Sequence, residues 1–175
     1  MRRRTRARET AVQFLYQADL RRADAEPPVA GPADARGGPA PSRADLESFL
    51  DQAKTDGLLP DEDSRTFARR LIVGTLEHTE AIDQLLRSVA RNWDLKRMAV
   101  VDRNVLRMAI YELLHCPDIP PKVTINEAIE IGKKFSTANS GAFINGILDR
   151  IRLDHLPTGP GDDPPGDRSS PAAPD

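Results

Sequence analysis

Five of the seven residues from Arg2 to Arg8 are arginine, in the segment RRRTRARETAVQFLY. A guanidinium carries a fixed charge and a planar fork of donors, a shape that suits phosphate. The segment runs straight into an amphipathic pattern, so these cations load a helix N-terminus, where the backbone already presents about half a positive charge. Each such cation costs helix stability, of order some tenths of a kcal/mol. Selection for helix stability alone would place Asp or Glu here. With no acidic neighbour before Glu9, the run reads as a surface that meets a polyanion. The competing reading is a solvated, frayed basic terminus.

Other residue types capable of chemistry form no constellation. His78, His115 and His155 lie at no metal-ligand spacing with another His or Cys, and Cys116 is the only cysteine. His115 and Cys116 are adjacent, but neighbouring helical residues point about 100° apart, so a helix-end pair is favoured over a thiol–imidazole nucleophile. There is no phosphate-cradling glycine loop and no dinucleotide fingerprint. Gly74, Gly132 and Gly146 sit singly inside helical patterns, which suggests close helix approach. No catalytic residue, metal or cofactor is expected, and the chain reads as a non-enzyme. Trp93 either wedges between helices or stacks on a base, with the wedge favoured. Glu112 lies on an apolar face, favouring a paired, part-buried carboxylate over an interface residue.

The elements that must position the arginines are helical. Of 175 residues, 39% are hydrophobic and only 5% aromatic, which suits a helical protein built on Ala, Leu, Ile and Val. The net charge of −2 hides an asymmetry. Residues 1–22 hold seven arginines against Glu9 and Asp19, a net of +5, which leaves −7 elsewhere. Such a chain carries a local anion site and is not a general nucleic-acid coat. No apolar run approaches 18 residues and no apolar segment follows the charged start, so neither a membrane span nor a secretory signal is expected, and the protein reads as cytoplasmic.

Apolar spacing predicts helices over about 5–24, 42–56, 61–78, the 80s, 99–115, from about 124, and about 140–154. Ala7, Ala11, Phe14, Leu15 and Ala18 form the inward face of the first. The 99–115 helix is apolar nearly all round and belongs at the centre of an all-α bundle of about seven helices. Thr124 and Glu127 fit a capping box that opens the next helix. Phe143 shares spacing with Ile144, Ile147 and Ile151, favouring the core over stacking on a ligand. Residues 25–44, with five prolines and three glycines, and 157–175, with six prolines and four aspartates, are expected to be mobile. The first interrupts a domain of residues 1–156, and the second is a disordered acidic tail.

Three segments carry a resemblance. RRRTRARETAVQFLYQ, NWDLKRMAVVDRNVLRMAIYELL and PPKVTINEAIEIGKKFSTANSGAFINGILDRI are similar to the NusB family of bacterial transcription antitermination factors. The likeness covers roughly residues 2–24 and 64–152, and neither proline-rich segment takes part in it. It implies two packed three-helix bundles plus an additional helix. It also implies binding of boxA-type single-stranded RNA together with the small-subunit ribosomal protein that doubles as NusE. That pair supports ribosomal RNA transcription in the RNA polymerase antitermination complex, and some members form homodimers.

Carried over by position, Arg2, Arg3, Arg4, Arg6 and Arg8 match the family's RNA-binding terminus. Lys133, Lys134 and the Ser136–Phe143 loop, including Asn139, match the segment near the RNA path. Tyr16 and Asp102 match positions facing the NusE-like partner. Two alternatives remain: the helical RNA-recognition domain of a ribosomal RNA methyltransferase, which needs an additional cofactor-binding domain, and a structural homodimer.

Overall fold

The computed structural model describes residues 2–24, 40–90 and 97–157. Trp93, most of the 25–44 segment and nearly all of the 157–175 segment lie outside these residues. Seven α-helices and no strand occur among the described residues: α1 Arg2–Asp24, α2 Arg43–Thr55, α3 Glu62–Glu77, α4 Thr79–Val89, α5 Val100–His115, α6 Pro121–Phe135 and α7 Ser140–His155. None is long and apolar enough to cross a membrane.

The helix ends follow local chemistry. Ser42 and Asp45 form a reciprocal capping box at α2, and Gly57 at φ 73° turns the chain after it. Asp61 caps α3 by accepting from the Ser64 N–H at 2.8 Å. The capping box expected at Thr124 and Glu127 does not form. Pro121 opens α6 one turn earlier, where its missing N–H costs nothing, and the Thr124 hydroxyl donates across the core to Glu112 at 2.8 Å.

The helices pack as two three-helix groups, α1–α2–α3 and α5–α6–α7, with α4 against α3, α5 and α7. This is the expected architecture, and α5 is its axis, touching α1, α3, α4, α6 and α7. Val105, Leu106, Met108, Ala109 and Ile110 of α5 are all buried, which explains a helix that is apolar nearly all round. The predicted inward faces hold on α1, where Ala7, Ala11, Phe14, Leu15 and Ala18 are buried, and on α7, where Ile144, Ile147, Leu148 and Ile151 are. Gly74 lets the Tyr111 ring lie on the α3 backbone, and a Cβ at Gly132 would collide with Ile144. Gly146 departs from the expectation of close approach: nothing lies within 4 Å of where its Cβ would be.

His78, Tyr111 and His115 cluster at the α3–α5 end of this core: Tyr111 and His115 stack, and the His78 ring lies tilted against both, with the two imidazole centroids 4.2 Å apart. Burial, and then the neighbouring His78, lowers the His115 pKa. Cys116 ends α5 fully buried, and burial pushes its thiol up, away from the thiolate a nucleophile needs.

Candidate nucleic-acid interface

The arginine run is helical from Arg2, and this alone divides its five side chains. At about 100° per residue, an α-helix cannot point five residues spread over seven positions at one ligand. Arg2 and Arg6, four apart, share an open row; both are exposed and neither makes an ion pair among the described residues. Arg3 and Arg4 turn towards α3. Arg3 pairs with Asp61 at 2.7 Å, and the Arg4 guanidinium lies 4.8 Å from the Phe67 ring centroid. With Asp63 and Arg70 they line a surface cavity of about 590 Å³. The Ser64 backbone N–H, with Arg3 adding to it, holds the Asp61 carboxyl below its ordinary range. Arg70 is tied by two hydrogen bonds to Asp118, whose pKa falls to about 2.

Arg8 turns inward, a correction to its place among RNA-contacting residues. Its side chain is 2% exposed and its Nε donates to both Glu112 oxygens, at 3.2 and 3.0 Å. Glu112 is itself 1% exposed, so it is the paired structural carboxylate that the apolar face of α5 favours. The physical reason lies in register. Arg8 follows Ala7 and Arg4 on the face that packs against α3 and α5, and its charge is tolerable there because Glu112, itself bonded by Thr124, pairs with it, with Glu127 at 4.0 Å and the Phe67 ring beside it. Thr5 extends the same seam by donating to Glu127 at 3.0 Å.

The second half of the candidate surface comes from the end of α6. Lys133 and Lys134 are exposed in its last turn, where cations complement the helix dipole. Lys134 reaches Glu9 of α1 at 3.0 Å, and Lys133 pairs loosely with Glu130 at 3.7 Å. The Glu9–Lys134 pair therefore brings the end of α6 beside the Arg2–Arg6 row, since Glu9 follows Arg6 by three residues on α1. Asn139 is exposed at the start of α7, and its side chain makes no capping bond. Phe143 is half-buried and packs against the core. Among the described residues no group of three His, Cys, Asp or Glu side chains could hold a metal ion.

Comparison with known proteins agrees with this architecture. Residues 5–152 match the model of the NusB family. The chain belongs to the NusB family. A relative from Geotalea daltonii, a transcription antitermination protein NusB, is 43% identical over 85% of this chain and 92% of its own length. The solved T. maritima NusB is 42% identical with a TM-score of 0.69, covering 88% of this chain and 93% of that one. A crystal structure of antitermination factors NusB and NusE in complex with dsRNA shares the fold at 24% identity, with a TM-score of 0.66 over 89% of this chain and 99% of that chain.

Among NusB-family positions, Tyr16 and Asp102 sit differently from each other. Tyr16 is half-buried on α1. Asp102 is only 8% exposed, in the first turn of α5, and accepts from the Ser140 hydroxyl at 3.1 Å. The same Ser140 oxygen accepts from the Thr137 N–H at 3.2 Å, so Asp102 is bonded to the turn between α6 and α7. Its other oxygen, Oδ1, is buried without a hydrogen bond. Arg103, the next residue, turns away from Asp102 and is drawn to Asp19 of α1 at 2.8 Å. Asn104 donates to the same carboxylate at 2.9 Å, and Arg107 joins it while gripping Asp83 of α4 by two bonds of 2.8 Å. Nothing in the spacing of Asp19, Asp83, Arg103 and Arg107 announces this four-residue ion cluster, which joins α1, α4 and α5.

Proposed function

We propose that the protein is a cytoplasmic transcription antitermination factor. It binds boxA-type single-stranded RNA together with a NusE-like small-subunit ribosomal protein, within the RNA polymerase antitermination complex, and so supports ribosomal RNA transcription. No catalytic step is involved. One observation carries the reading: in a NusB-family fold, Arg2 and Arg6 are exposed, and unpaired among the described residues, on the row that meets Lys133 and Lys134 through Glu9. Four cations around the joint of two helices form a local phosphate-binding surface on a chain that is otherwise acidic. Asn139, exposed at the turn after α6, offers an amide to base edges on the same side. Arg3 and Arg4, held by Asp61 and Phe67, flank the surface on α3, and Arg8 serves it from within by fixing α1 against α5. Tyr16 and Asp102 are assigned to the NusE-like partner.

The test is RNA binding by the full chain with and without the NusE-like protein, using a boxA RNA and a scrambled control. Tighter, sequence-dependent binding in the presence of the partner supports the reading. Equal affinity for both RNAs, with or without the partner, refutes it. Size measurement with and without RNA reports whether a homodimer competes with RNA for the arginine face.

A further inference from the structure

Phe135 is the last residue of α6. Helical spacing continues the buried stripe of Ala128, Ile131 and Gly132 directly onto it, and a residue three or four places beyond such partners belongs in the core. It is not there. Phe135 is 39% exposed at the C-terminal end of α6, although Gly132 of the same turn is buried against α7. Among the described residues the exposed large hydrophobic side chains are Leu58, Phe135 and Leu153, so Phe135 alone offers an aromatic face. Phe143, by contrast, packs against the core.

The charge around the ring matches the exposure. The Lys134 ammonium lies 5.1 Å from the Phe135 centroid, and Lys133 is the next cation on the same turn. An ammonium this close is drawn to the negative face of the ring and stays in reach of a phosphate beside it. Lys134 also holds Glu9, which anchors this turn next to the exposed Arg2–Arg6 row. An exposed aromatic ring beside cations is the arrangement by which proteins hold single-stranded nucleic acid: the bases stack and the backbone is neutralised.

We infer that Phe135 is a base-stacking platform for the single-stranded RNA, with Lys133 and Lys134 holding the phosphates on either side of the stacked nucleotide. The inference rests on the RNA-binding reading above. It adds a contact that is independent of salt to a surface otherwise made of charge, and it places that contact on Phe135 instead of Phe143.

The experiment measures binding of boxA RNA to the full chain, with the NusE-like protein present, for wild type, Phe135→Ala, Phe135→Leu and Phe135→Tyr. Thermal melts accompany each variant, and an exposed side chain leaves them nearly unchanged. Phe135→Ala and Phe135→Leu are expected to weaken binding by about 5- to 150-fold, and Phe135→Tyr to retain it. The slope of log affinity against log salt stays at the wild-type value, since no phosphate contact is lost. A 2-aminopurine base in the RNA is quenched by wild type and not by Phe135→Leu. Wild-type affinity in Phe135→Ala, while wild type binds RNA normally, overturns the inference and leaves the RNA reading intact. Retained affinity in Phe135→Leu overturns stacking in favour of simple apolar contact. Failure of wild type itself to bind any RNA overturns the functional reading, and the inference with it.

Discussion

Replacing Arg8 with methionine separates two roles that sequence alone merges. The substitution keeps most of the side-chain bulk and removes the charge. In the fold, Arg8 and Glu112 are 2% and 1% exposed, and Arg8 supplies all of the positive charge that touches Glu112. After the change, the Glu112 carboxylate keeps, among the described residues, the Thr124 hydroxyl at 2.8 Å. Leaving one partner of a buried pair uncompensated costs about 3–5 kcal/mol. In a folded domain of roughly 150 residues each kcal/mol moves the melting temperature by about 2–4 °C, so Arg8→Met should melt about 6–20 °C below wild type. Removing both charges in Arg8→Met/Glu112→Leu should recover part of that loss, because the buried Glu112 charge goes with its partner, while Glu127, 4.0 Å from the Arg8 guanidinium in wild type, keeps its charge and its bond from Thr5. Thermal and urea melts of wild type, the single variant and the double variant test this. A salt titration of RNA binding with the folded variants is the companion assay. Since Arg8 touches no phosphate in this arrangement, the slope should match wild type. The reasoning is refuted if Arg8→Met melts within about 2 °C of wild type while its slope flattens by about 0.7, the mark of one lost phosphate contact on single-stranded RNA.

Three further outcomes follow from the same geometry. Arg2→Ala/Arg6→Ala should weaken RNA binding and flatten the log–log salt slope by up to about 1.4, with no change in melting, whereas Arg3→Ala should have a smaller effect because Asp61 already neutralises Arg3; equal slopes in a salt titration would remove the open row from the interface. Asp102→Lys should reduce affinity for the NusE-like protein in calorimetry, and Ser140→Ala, which removes the hydroxyl that donates to Asp102, should disturb both that affinity and RNA binding at the α6–α7 turn; normal binding by both folded variants would make the Asp102–Ser140 contact purely structural. Because the His115 pKa is lowered in the fold, the unfolded chain takes up the proton first. Stability is therefore full above the ordinary value of 6.5 and falls as pH drops below it towards the folded value. Urea melts between pH 7.5 and 5.5 should show this fall in wild type and a smaller one in His115→Gln, and identical pH profiles would exclude His115 as its source.

Much of this molecule follows from local pattern. The helical class, the inward faces of α1 and α7, the central place of α5 and the acidic start of α3 depend on contacts within one helix or on how apolar its surface is, and sequence spacing reports both directly. The Thr124–Glu127 pair shows where local pattern fails. It has the right residues at the right spacing, yet a proline three places earlier starts the helix first, and Thr124 finds a better partner in Glu112 across the core. The arginine run shows the deeper limit. Its composition says that cations gather at this end of the chain, and the family resemblance says what they meet. Only the packed structure decides that Arg2 and Arg6 stay open, Arg3 and Arg4 lean on α3, and Arg8 is sealed inside with Glu112, 104 positions away. Phe135 and the Asp19–Asp83–Arg103–Arg107 cluster belong to the same kind. Whether a charge or a ring is exposed depends on which distant helix covers it and where that helix ends, and neither is encoded in the residues beside it.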